Sequence, residues 1–313
     1  MSYIEKRTIN QKDYYYFTKK VRFMNKTFTI KKNTGKNITK EKYILDNLED
    51  LTNKELEFKL IFLDKIKEDL SYNKELSQRI EKKSILINNL LEAKNIKKII
   101  DLEFAKEFIF NSNNIEGSKI PPETVREIIE KGDTKYFQKN EIKEVKNSIL
   151  AFEYIQKSFK FNVNSIKRLY HILTKDLYRE GNQEYPKGFK KISNVVGNSQ
   201  TTPPEEVEIE LDNLLKWYKK NKNLIHPLIL AFEFHKRYEK IHPFIDGNGR
   251  TGRMIMNKIL ISSGYYPIII FKTNKQTYFN SLEQDEKIKK YYQFMLEQIE
   301  KTYDYILQII SKY

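Results

Sequence analysis

Cysteine is absent from the 313 residues. That excludes disulfides, thiol nucleophiles and cysteine-ligated zinc or iron–sulfur centres, and it suits a reducing compartment. Glycine and histidine are scarce, with ten and four copies. Long apolar runs are missing too. The longest, Tyr265 to Phe271, is far short of the roughly 20 residues that span a bilayer. The first residues, MSYIEKRTINQKDYYYF, lack an apolar core of signal-peptide length. The expectation is a soluble, cytoplasmic protein with no membrane contact. Acids are nearly missing from residues 1–40, where eleven Lys and Arg face only Glu5 and Asp13. This segment therefore carries nine of the chain's fifteen net positive charges, and such an excess fits a polyanionic partner as well as a solvated basic face.

What remains is ordinary for a water-facing protein, with 39% hydrophobic and 32% charged residues. Residues 12–32 read as two β-runs around a Met24-Asn25-Lys26 turn, a basic hairpin within residues 1–36. From 37 to 100 the pattern becomes helical, with Leu48, Leu51, Leu56, Leu60, Leu63 and Leu70 recurring among Lys and Glu. This predicts a helical arm of one or two long amphipathic helices, which could also serve a homodimer. Residues 101–313 are helical with clear punctuation. Thr202-Pro203-Pro204-Glu205 predicts a helix start with Thr as cap and Glu205 closing a capping box. The stripe Leu228, Ala231, Phe232, His235 and Tyr238 ends at Pro243. On it His235 reads as packed, and His226 as a helix-start residue before Pro227.

Three of the ten glycines, Gly247, Gly249 and Gly252, lie in IHPFIDGNGRTGR. They satisfy G-x-G-x-x-G, but the preceding segment is helical, and no acid lies between Asp246 and Glu283 to bind a ribose. The dinucleotide fingerprint is therefore rejected. Its physics survives, because a glycine turn feeding a helix N-terminus gathers backbone N–H groups into an anion site. Arg250 and Arg253, three apart, add forked donors for phosphate oxygens. His242 beside them suits a general base, and the lone Asp246 suits a Mg²⁺ that keeps water and phosphate as its other ligands. The assembled chemistry is attack of a hydroxyl on a nucleotide phosphate.

HPFIDGNGRTGR resembles the signature of the Fic (filamentation induced by cAMP) family, H-P-F-x-[DE]-G-N-G-R-x-x-R, at every specified position. The similarity extends over about residues 101–285. The resemblance implies a mainly α, Fic-type helical bundle with a short β-hairpin flap, here preceded by the basic hairpin and helical arm. It implies transfer of AMP from ATP to a Ser, Thr or Tyr hydroxyl of a protein, itself included, with Mg²⁺ or Mn²⁺ as cofactor and release of pyrophosphate.

By the same resemblance His242 is the base and Asp246 the metal ligand. Gly247, Asn248 and Gly249 form the hole for the α-phosphate, Arg250 and Arg253 grip the outer phosphates, and Phe244 anchors the loop. Gly249 stands where Doc-type kinases carry Lys, which favours transfer of the nucleotide. Ser112-Asn113-Asn114-Ile115-Glu116-Gly117 matches the family's inhibitory motif [ST]-x-x-x-E-[GN], on a helix expected near 102–117. Ser112, Glu116 and Gly117 would place a carboxylate on Arg253, in competition with phosphate. In such relatives the same glutamate can position water for removal of AMP. Gly188-Phe189-Lys190 departs from G-x-[YF]-R, keeping the charge but losing the fork. The flap is expected over Ile192 to Val196 with Val195 or Val196 as clamp, and adenine contacts near Tyr278 and Leu282. Donors other than ATP, such as UTP or CDP-choline, stay open. The rival reading is a nucleic-acid-binding regulator acting through residues 1–40, whose Tyr and Phe interleave with Lys.

Overall fold

A computed structural model describes residues 2–63, 73–132, 134–136, 139–179, 183–196, 199–283 and 288–313. Leu70 of the expected leucine series lies outside them. The chain opens with an antiparallel sheet of three strands, β1 (Ser2–Ile9), β2 (Lys12–Phe23) and β3 (Lys26–Asn33), in that order. The expected hairpin is β2–β3, with Met24 at positive φ in its turn. Strand β1 was not foreseen. It joins β2 through Asn10 and Gln11, both at positive φ. Such a tight turn normally advertises itself with Asn-Gly, and here glycine is absent. Phe17, Val21, Phe23 and Ile30 form the buried face of the sheet.

Helices α1 (Lys40–Asp46), α2 (Leu48–Leu63) and α3 (Lys74–Lys94) follow. Thr39 and Asn73 cap α1 and α3 with their side chains, the usual role of short polar residues at a helix start. The inward stripe of α2 is Leu51, Thr52, Glu55 and Lys59, while Leu56 and Leu60 are half-buried. This reverses the leucine-based expectation because the buried charges are paired. Lys19 bonds Glu55 and Asn89, and Lys59 lies 3.0 Å from Glu81 on α3. Nor does the segment project as an arm. Leu76, Ile80, Ile87 and Leu91 of α3 enter the same core as the later helices.

Those later helices are α4 (Lys97–Ile115), α5 (Pro122–Lys131), α6 (Lys139–Lys157), α7 (Val163–Thr174), α8 (Val207–Asn221), α9 (Pro227–Ile241), α10 (Asn248–Ser262), α11 (Lys275–Glu283) and α12 (Ile288–Ile310). Helix α3 lies along α12, where Arg79 and Lys83 meet Glu300 at 2.9 and 3.1 Å. Two small hairpins, β4 (Tyr178–Arg179) with β5 (Gln183–Glu184) and β6 (Val195–Val196) with β7 (Ser199–Gln200), sit between α7 and α8. The expected Thr202 capping box does not form. A 3₁₀ turn over Pro204–Glu206 leads into α8 without a side-chain cap, and the Thr202 N–H donates to Lys240 O at 3.3 Å. His226 does cap α9, its Nδ1 accepting from the Leu228 N–H at 3.3 Å. No helix among the described residues is long and apolar enough to cross a membrane.

Candidate active site

Helices α9 and α10 pack against each other, and the glycine loop joins them. His242 is the C-cap of α9, in the left-handed region at φ 49°. That conformation is costly for a side-chain-bearing residue, and the neighbouring contacts hold it. Phe244 is fully buried and stacks on Tyr170 with ring centroids 3.8 Å apart. Asn248 clasps the same residue, accepting from the Phe244 N–H at 2.8 Å and donating to its carbonyl at 2.9 Å. The Asn248 side chain is thus a staple for the loop, while its backbone N–H lies at the start of α10. Gly247, at φ +76°, is the N-cap that turns the chain into that helix. Any other residue there would be strained.

The imidazole of His242 is held in its neutral form. Burial pulls its pKa down to about 4, assisted by the nearby Lys190 charge, so the ring is neutral near pH 7. Lys190 is itself buried. Its Nζ donates to Asn194 Oδ1 at 2.8 Å, Thr201 Oγ1 at 2.6 Å and Ile241 O at 3.4 Å, and its N–H donates to Pro243 O at 2.9 Å. The lysine that stands where G-x-[YF]-R carries arginine therefore ties the root of the β6–β7 hairpin to the loop carrying His242. Burial lowers its pKa to about 8. Beyond that root Val195 is exposed.

Asp246 accepts from the Tyr185 hydroxyl at 2.8 Å and from the Gly247 N–H. Burial opposes its charge, but Arg250, Tyr185 and that N–H prevail and hold its pKa below the usual carboxylate value. No cluster of three or more metal-ligating side chains occurs among the described residues. One ionised, half-exposed carboxylate fits Mg²⁺, which draws its remaining ligands from water and phosphate.

Both arginines of the signature are buried and both carry carboxylates. Arg253 donates from Nη2 to Glu116 Oε1 at 2.7 Å and to Ser112 O at 2.9 Å, and from Nε to Ser112 Oγ at 3.1 Å. Glu116 is the C-cap of α4, and Gly117 beyond it has φ +112°. Gly249 gives the pair its room, since a Cβ there would lie 2.3 Å from Glu116 Oε1 and 2.8 Å from Arg253 Nη1. Arg250 pairs with Glu144 of α6 and lies 3.8 Å from Asp246. Burial raises the pKa of Glu144, outweighing the pull of Arg250.

Tyr278, expected near the adenine, lies in the interior beside Arg253. It is buried, its hydroxyl is 2.7 Å from His235 Nε2, and the Arg253 guanidinium lies 5.9 Å from its ring centroid. Its place is under the arginine rather than at the surface. His235 is fully buried, and burial takes its pKa to about 3, as expected of a packed histidine. Glu144, Tyr185 and Lys190 were not marked as site residues by sequence reasoning. Only Lys190 carried a signal, through its place in a departing motif.

Residues 160–260 match the Fic/DOC family. Among curated proteins, a protein adenylyltransferase Fic from Aedes aegypti is 28% identical over 246 residues, covering 75% of this chain and 48% of that protein. One from Drosophila grimshawi is 29% identical over 215 residues, covering 66% and 43%. The chain thus spans about half the length of the curated relatives it matches. Among solved structures, a Fic-domain-containing signalling protein from Bacteroides thetaiotaomicron superposes with a TM-score of 0.66 at 21% identity, covering 76% of this chain and 97% of that one. Fic-1 (residues 134–508) from C. elegans gives 0.64 at 19% identity, covering 76% and 72%. These share the fold. The signature, seated between α9 and α10, lies within the segment that matches the Fic/DOC family.

Proposed function

We propose that this protein is an adenylyltransferase held in an inhibited state, moving AMP from ATP to a hydroxyl of a protein. The observation that carries the reading is the Glu116–Arg253 pair, which fills a buried arginine fork beside a neutral histidine and a helix N-terminus. A carboxylate and a phosphate compete for the same donors. Release of Glu116 from Arg253 would free that fork for the outer phosphates.

In the released state the backbone N–H groups from Gly247 to Gly249 face the α-phosphate, favoured by the helix dipole. Arg250 and Arg253 orient the pyrophosphate portion. His242 takes the proton of the target hydroxyl as its oxygen bonds the α-phosphorus. The bond from that phosphorus to the bridging oxygen breaks, and pyrophosphate departs with the electron pair. Mg²⁺, held by Asp246, would neutralise phosphate charge. The exposed Val195 on the β6–β7 hairpin, rooted by Lys190, is placed to press on the segment that offers the hydroxyl.

The test is incubation with ATP labelled on the α-phosphate, alongside ATP labelled on the γ-phosphate. Wild type should mark protein weakly with the first label, Glu116→Gly strongly, and His242→Ala not at all. Label from the γ-position would assign a kinase instead. No label in any variant with Mg²⁺ or Mn²⁺ present would overturn the proposal.

A further inference from the structure

The strand register sorts the basic N-terminal segment into two faces. Tyr14, Tyr16, Thr18, Lys20 and Arg22 of β2 share one face with Glu5 and Arg7 of β1 and with Thr27, Thr29 and Lys31 of β3. The opposite face carries Phe17, Val21, Phe23 and Ile30 and is packed against the protein. The outward face thus gathers Arg7, Lys12, Lys20, Arg22 and Lys31 around one acid, Glu5, which pairs with both Arg7 and Lys31 at 2.7 Å. Nothing in the proposed transfer chemistry uses this charge.

We propose that this face binds double-stranded DNA. Charge complementarity with the phosphate backbone supplies the attraction. Its shape favours a duplex over a single strand. Three strands span about 10 Å across, from their spacing, and a major groove is about 12 Å wide. Sheets are known to enter it. Single-strand binding relies on aromatic rings that are free to stack bases. Tyr16, at the centre of the face, has the Arg7 guanidinium 5.6 Å and the Lys31 ammonium 5.0 Å from its ring centroid. These cations leave its ring poorly placed to stack a base, whereas Tyr3 and Tyr14 at the border of the same face are exposed.

The experiment is a fluorescence-anisotropy titration of the full chain against a labelled duplex of about 20 base pairs at several salt concentrations. Five phosphate contacts give a log–log salt slope of about −4.5, a loss of roughly 500-fold between about 50 and 200 mM salt. Arg22→Ala with Lys31→Ala should flatten the slope by about two. Lys289→Ala with Lys290→Ala, an equal charge change on exposed residues of α12, should leave it alone. Circular dichroism melts of both pairs report that the fold is intact. His242→Ala should bind DNA as wild type does. No binding at low salt, or equal effects of the two pairs, would overturn the proposal. So would tighter binding of the matching single strand, or equal binding of phosphatidylserine vesicles with the same sensitivity to the sheet variants.

Discussion

Two glutamates, each on a basic partner, sit in different surroundings. Glu81 of α3 is fully buried among Lys59, His226 and Tyr265, which come from α2, the start of α9 and the segment after α10. Burial opposes its charge, but Lys59 and His226 outweigh it and take its pKa down to about 2. Glu116 keeps its side chain 20% exposed, meets Arg253 as its one side-chain partner among the described residues, and ends a helix just before a glycine. Partners from three elements make Glu81 a fixed joint between the N-terminal region and the bundle. A single partner and an exposed flank make Glu116 releasable. Partner number and exposure together separate the fixed contact from the releasable one.

The largest effect should come from breaking the joint. Lys59→Met strands the Glu81 carboxylate, and its expected cost is about 3–5 kcal/mol, read from urea melts at neutral pH. A loss within about 1 kcal/mol would mean that His226 and Tyr265 suffice and the comparison fails. The acid dependence has a defined sign. The folded-state pKa lies below the ordinary 4.5, so this stabilisation is complete above about pH 4.5 and vanishes as pH falls through about 2.

Glu116→Gly should instead leave stability nearly intact, because Arg253 keeps Ser112 Oγ and Ser112 O as acceptors. Labelling from the α-phosphate should rise roughly tenfold to a hundredfold, the equivalent of one charge-assisted hydrogen bond. Glu144→Gln sharpens the contrast between the two arginines. Glu144 lies mid-helix in α6, so this change should cost about 1–2 kcal/mol in a melt without raising the label, since Glu116 still covers Arg253. A rise comparable to that of Glu116→Gly would make Glu144 a second lock.

The smallest effect concerns the base. With His242 held at about 4, kcat/KM of Glu116→Gly should change less than about twofold between pH 6 and 8. The rate needs the neutral ring, so it should fall only as pH drops toward about 4. A fall centred near 6.5 would show the ring behaving as an exposed histidine.

The loop from His242 to Arg253 was legible because its chemistry lies in consecutive residues, and local rules for helix ends and glycine turns govern how such residues sit. The mainly helical class was legible for the same reason, through helical periodicity. The pairing of Glu116 with Arg253 was legible only through the short motif beside the signature. Other features depended on packing. Glu144 is one glutamate in a helix of Lys and Glu, and nothing local marks it as the partner of an arginine 106 residues away. The polar stripe of α2 read as solvent-facing because its counter-charges, Lys19 and Glu81, come from another strand and helix. Tyr278 read as a site near the adenine, and its place beside Arg253 came only with the fold. A side chain's neighbours along the chain are set by covalent geometry, so the sequence alone determined the reactive loop. Which carboxylates meet its arginines is decided by the packing of distant helices, and that packing exists only in the tertiary structure.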